Sequence, residues 1–114
     1  MTSPFETLAN LDRLIHEPAR LSIMTALSVV QNADFTFIKK ITGLSVGNLS
    51  NHLSKLEEGG LIEMTKTFIR NRPNTQINIT EEGKRAIETH WQQLKALHEE
   101  SRSLHPDDPP VGSH

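Results

Sequence analysis

Apolar residues recur along this chain at spacings that change from helical to alternating and back to helical. Phe5, Leu8, Leu11, Leu14 and Ile15 share one side of a 3.6-residue repeat. Ser3, Pro4 and Glu6 precede them as a capping box with a first-turn proline. His16-Glu17-Pro18 ends that segment, because the residue before a proline avoids the helical region. Pro18 opens a second helix, with Leu21, Ile23, Met24, Ala26, Leu27 and Val30 over a broad buried face. Residues 31–34 read as a polar break and Phe35 as a short extended piece. Thr36 is the expected cap of a third helix, which turns Phe37, Ile38 and Ile41 inward and ends at Gly43.

Ser45 caps a fourth helix that runs to Glu58. At ~100° per residue, Val46, Leu49, Leu53 and Leu56 gather on one side. Gly47, Asn48, Ser50, Asn51, Ser54 and Lys55 fall on the other, and Gly59-Gly60 stops the helix. Residues 61–69 then alternate, with Ile62, Met64 and Phe68 set against Glu63, Thr65 and Thr67. Residues 70–74 form a polar loop of turn formers. Residues 75–79 make a return strand. Thr80 caps a long last helix whose first turn holds Glu81 and Glu82, matching the helix dipole. Ile87, Trp91, Leu94 and Leu97 are its apolar stripe, bordered by His90 and His98. These elements predict a mainly α chain with a small β-hairpin, of class α+β. One domain spans residues 1–100, and residues 101–114 form a flexible tail rich in proline and acid.

The chain has 114 residues, enough for one domain with a modest core. No apolar run is long enough to span a bilayer, and the N-terminus lacks the order of a signal peptide. Cysteine is absent, which excludes disulfides and thiolate metal sites. A cytoplasmic location with no membrane partner is the expectation. The net charge of -2 argues at first against a nucleic-acid partner. Its distribution changes that view. Residues 1–38 and 80–114 are net acidic, while residues 39–79 carry six cations against Glu57, Glu58 and Glu63. Local charge governs an electrostatic footprint more than the total does.

The positive block coincides with helix, tight Gly43-Leu44-Ser45 turn, helix, strand, basic loop and strand. This is the layout of a winged helix-turn-helix, with the fourth helix presented for recognition. Short polar side chains on its outer face suit base reading. Asn48 and Asn51 can pair with adenine, Ser45 and Ser50 with any base edge, and Lys55 with phosphate or guanine. Gly47 permits a close backbone approach. Arg70 and Arg72 in the hairpin loop suit a minor groove or phosphates. Arg20 either holds phosphate or solvates its own turn. His52, on the flank of the outer face, either touches DNA or packs against the wing. His16 closes the first helix structurally.

No nucleophile motif, glycine-rich phosphate loop or convergent acid pair is present, so no enzyme is expected. His90 and His98 lie eight residues apart, outside the spacing of ligands on one helix; a metal-dependent regulator would need them to meet across a dimer, and no metal or other cofactor is expected. Leu8, Leu11 and Ile15 on the first helix, with Trp91, Leu94 and Leu97 on the last, form stripes suited to a homodimer. A winged helix that docks onto another protein is the competing reading of the same surface.

Several segments together also carry a family likeness. They are Leu14-Ile-His-Glu-Pro-Ala-Arg-Leu-Ser-Ile-Met, Gly47-Asn-Leu-Ser-Asn-His-Leu-Ser-Lys-Leu-Glu-Glu-Gly-Gly-Leu and Thr67-Phe-Ile-Arg-Asn-Arg-Pro-Asn-Thr, with Thr80-Glu-Glu-Gly-Lys after them. The chain resembles the small prokaryotic winged helix regulators related to the ArsR and MarR types, over residues 11–97. The resemblance implies a homodimeric transcriptional regulator of double-stranded DNA, with terminal dimerisation helices. It implies that Ser50-Asn51-His52-Leu53 lies on the recognition helix and that the wing touches DNA. This chain lacks the cysteine motif of many ArsR-type sensors and is too short for the larger MarR-type ligand-binding dimer region. The resemblance therefore leaves the effector open.

Overall fold

Glu17 accepts the backbone N–H of Arg20 at 2.8 Å and starts the first helix of the computed structural model, which describes residues 12–104 and Pro106. That helix, α1, spans Pro18–Val30. The expected helix through Phe5, Leu8 and Leu11 lies outside the described residues. Its final part differs from expectation. Arg13 to Ile15 form a turn, closed by His16 N–H to Asp12 O at 2.7 Å and Leu14 N–H to the Asp12 carboxylate at 2.9 Å.

The expected polar break is a strand, β1 (Asn32–Asp34). Helix α2 (Phe35–Thr42) follows at once, capped by Asp34 and not by Thr36. The Asp34 carboxylate accepts from Phe37 N–H at 2.7 Å, and a carboxylate also complements the positive end of the helix. Phe35 therefore opens a helix instead of forming an extended piece. Gly43 ends α2 in the left-handed region, at φ 72°. Ser45 caps α3 (Val46–Glu58) by accepting from Asn48 N–H at 3.2 Å.

Strands β2 (Ile62–Ile69) and β3 (Arg72–Ile79) form the hairpin. The sheet order is β1-β3-β2, antiparallel throughout, with Ala33 opposite Ile77 and Met64 opposite Ile77 on the other side. The expected five-residue loop is only a two-residue turn. Arg70 and Asn71 both have positive φ, 52° and 64°, as a type I′ hairpin turn requires. Ile69 pairs with Arg72, and Phe68 with Pro73. The pair next to the turn takes the narrow hydrogen bonds, so Pro73 sits in a non-hydrogen-bonded pair. Its missing N–H would face away from β2, on a stretch that β1 does not reach.

Thr80 caps the last helix, α4 (Glu81–Arg102), accepting from Gly83 N–H at 2.9 Å while donating to Gly60 O at 2.7 Å. The helix runs two residues past the expected start of the tail. Residues 107–114 lie outside the described residues.

The core gathers Ile15, Ile23, Met24, Leu27, Ile38, Leu49, Leu53, Leu56, Ile77 and Ile87 between α1, α2, α3, α4 and the sheet. Several residues expected inside are exposed: Val30, Phe37, Ile41, Val46 and, at 75 % exposure, Phe68. The apolar face of β2 ends at Met64, because beyond Lys66 the hairpin projects past the helices and both faces meet solvent. Among the described residues, no helix is long and apolar enough to cross a membrane.

Candidate nucleic-acid interface

Helix α3 buries Leu49, Leu53 and Leu56 against the core and leaves its opposite face open. Gly47, Asn48, Ser50, Asn51, Ser54 and Lys55 are all exposed. Ser45 is exposed too, with its hydroxyl engaged as the helix cap. A Cβ added at Gly47 would meet nothing within 4 Å, so no internal packing demands glycine there. Arg70 and Arg72 are exposed at the wing, Arg70 within the turn and Arg72 opposite Ile69. The helix-turn-helix and the tip of the wing thus present the polar face and the cations foreseen from the sequence.

Two residues expected on this surface are committed elsewhere. Arg20 Nε donates to Leu14 O at 2.5 Å, and its Nη1 lies 3.3 Å from His52 Nδ1. His52 also lies 3.6 Å from the Glu17 carboxylate. His52 therefore packs against the start of α1 and not against the wing. Burial pushes the Glu17 carboxyl up, yet the Arg20 and Ala19 amides with the charges of His52 and Arg20 hold it below the usual glutamate value.

Lys66 lies beside this surface, at a position the sequence pattern did not single out. It lines a cleft of about 370 Å³ between α3 and the hairpin, with Ser50, Ser54, Glu57, Met64 and Thr75. The signal was available: period two puts Lys66 on the Ile62–Met64 face, where a charge is out of place unless it serves a surface.

The other candidate surface is only partly described. Leu8 and Leu11 lie outside the described residues. Ile15 is fully buried in the chain's own core, which leaves none of it for a partner. Trp91 is 46 % exposed, and Leu94 and Leu97 are half-buried. His90 is buried against His16, while His98 is exposed, so the two do not meet within the chain.

Residues 19–98 match the family model of the winged helix DNA-binding domain. The chain belongs to this family. A protein of Methanocaldococcus jannaschii of uncharacterised function is 32 % identical over 85 residues, covering 75 % of this chain and 92 % of its own length. The solved structure of a transcriptional regulator homologue from Pyrococcus horikoshii is 33 % identical and superposes with a TM-score of 0.79, covering 87 % of this chain and 99 % of that one. A MarR-family regulator from Silicibacter pomeroyi, at 15 % identity, shares the fold with a TM-score of 0.63 over 90 % of this chain and 69 % of its own. The winged helix chain is thus a DNA-binding transcriptional regulator, built on the α+β architecture that its sequence predicted.

Proposed function

We propose that this winged helix protein reads double-stranded DNA in a sequence-specific manner as a homodimer. Helix α3 enters the major groove, and the wing lies on the minor groove or the phosphate backbone. The observation that carries this reading is the exposed face of α3, made of short polar residues around Asn51 with Lys55 on the same helix, together with the exposed Arg70 and Arg72 at the wing. Short amides and hydroxyls read base edges, whereas a merely solvated helix would carry long charged side chains there. Long cations on a projecting turn suit phosphate contact. The exposed part of Trp91, continued by Leu94 and Leu97 on α4, supplies the dimer surface. Two recognition helices would then meet half-sites about one helical turn, roughly 34–36 Å, apart.

Selecting bound sequences from random DNA with the purified protein tests the reading. An enriched motif of two inverted half-sites is expected. A pool that shows no enrichment while the protein captures another protein through α3 would favour the competing docking role.

A further inference from the structure

Helix α3 is held in two different ways. Leu49, Leu53 and Leu56 bury its inner face. Apolar contact is non-directional; it sets depth but only loosely sets the rotation of the helix about its own axis. Two polar contacts remove that freedom. On one flank, the Glu57 carboxylate accepts the Met64 backbone N–H at 2.9 Å, tying α3 to β2. On the other, His52 Nδ1 lies 3.3 Å from Arg20 Nη1 and 3.6 Å from Glu17 Oε2, tying α3 to the start of α1. At ~100° per residue the outer arc between His52 and Glu57 spans ~220°, and Asn51 lies near its middle.

All three nitrogens of the Arg20 guanidinium are engaged within the chain. Its Nε donates to Leu14 O at 2.5 Å, its Nη2 faces Arg13 O at 3.5 Å, and its Nη1 faces His52. Nε and Nη2 face backbone carbonyl oxygens and Nη1 faces the His52 ring nitrogen, an arrangement that a lysine cannot copy. His52 Nδ1 faces both the Arg20 guanidinium and the Glu17 carboxylate, and Glu17 is itself fixed by capping α1. The three side chains therefore form one bracket between α1 and α3.

We propose that Arg20, with Glu17 and His52, is a positioning residue for DNA recognition: it sets the rotation of α3 that aims Asn51 outward, and it contacts no phosphate itself. This rests on the reading of α3 as the recognition helix.

The test uses the full chain on a selected duplex and a random duplex, titrated at several salt concentrations. Arg20→Lys keeps the charge but not the fork. It should lower the ratio of specific to random affinity by roughly tenfold or more, the worth of a misaimed base contact, with random affinity and salt slope unchanged. His52→Gln offers an oxygen to Arg20 and should retain most of the ratio, whereas His52→Leu should lose it. Unchanged random affinity also reports that the variants are folded; if Arg20→Lys does not fold, the His52→Gln and His52→Leu pair decides. A near wild-type Arg20→Lys, with Arg20→Met losing equal affinity on both duplexes and about two units of salt slope per dimer, would overturn the proposal. Asn51→Ala serves as the control: if it leaves the ratio unchanged, the recognition-helix reading falls and takes this inference with it. If Asn51→Ala loses the ratio while every Arg20 and His52 variant keeps it, the positioning role alone is wrong.

Discussion

His16 Nδ1 and His90 Nε2 lie 3.2 Å apart, joining the turn ahead of α1 to the middle of α4. The rings are tilted by 47° with centroids 5.1 Å apart. A hydrogen bond between two imidazoles requires one nitrogen to stay unprotonated as acceptor. His90 is 1 % exposed, and its Nδ1 has no hydrogen-bonding partner among the described residues. Burial first, and then the charge of His16, push the His90 ring below the usual histidine value, against the opposing pull of Asp12.

This shift makes stability depend on pH. The folded chain disfavours the proton on His90, while the unfolded chain accepts it at the ordinary value of about 6.5. The stabilisation is therefore complete above about pH 6.5 and is lost as the pH falls below it. Urea denaturation of the wild type should show a midpoint that declines between about pH 7 and pH 5.5. His90→Leu should flatten that part of the curve. Parallel curves for the two proteins would show that His90 does not govern the decline.

Gly47 and Gly83 should respond to alanine in opposite ways. A Cβ on Gly83 would fall on the carbonyl oxygen of Leu61 and 2.9 Å from Ile79 Cγ1. Gly83→Ala should therefore cost roughly 1–3 kcal/mol from overpacking, against the ~1 kcal/mol that alanine gains as a helix former. Gly47 has open space around it, so Gly47→Ala should raise stability by up to ~1 kcal/mol. If the α3 backbone approaches a groove wall, that same variant should bind DNA more weakly. Chemical denaturation separates the two effects from a binding titration. A Gly83→Ala protein as stable as the wild type would show that the α4 start tolerates displacement.

The homodimer should depend on Trp91. Its Nε1 donates to Thr25 Oγ1 at 3.2 Å, which orients the ring while leaving nearly half of it exposed. Large aromatic side chains held this way are typical interface anchors. Light scattering at micromolar concentration should report a dimer mass for the wild type. Trp91→Ala should shift the population toward monomer. A wild type that is monomeric at every concentration would remove the dimer from the proposed function.

Much of the architecture was legible because local signals and packing agreed. Ser45, Gly43 and Thr80 cap or end their helices as read from the sequence, since a cap needs only its own residue type and the next turn. The wing was misjudged where turn chemistry competed with strand pairing. Asn71 tolerates a positive φ but Arg70 is a poor residue for one, while Pro73 looks like a loop residue. Pairing of residues 72–74 with β2 outweighed both. The exposure of Phe37, Ile41 and Phe68 was not legible either, because periodicity marks a face and does not say whether another element covers it. The inward commitment of Arg20 and His52 depends on two elements 32 residues apart in sequence, a relationship that no local pattern encodes.

The wing and the recognition helix should fail differently when cut back. Arg72 is an exposed long cation beside the hairpin turn, and Asn51 is a short amide at the centre of the outer face of α3. Arg72→Ala should weaken binding to every duplex and reduce the salt slope by about two units in a dimer, one per lost phosphate contact per protomer. Asn51→Ala should cost roughly 1–3 kcal/mol per base contact, and only on the preferred sequence. Its salt slope should match the wild type, because an uncharged amide releases no counterions. Titrations on specific and random duplexes across several salt concentrations distinguish the two patterns. If Arg72→Ala changes discrimination while leaving the slope intact, the wing reads sequence, and the division of labour between turn and helix is reversed.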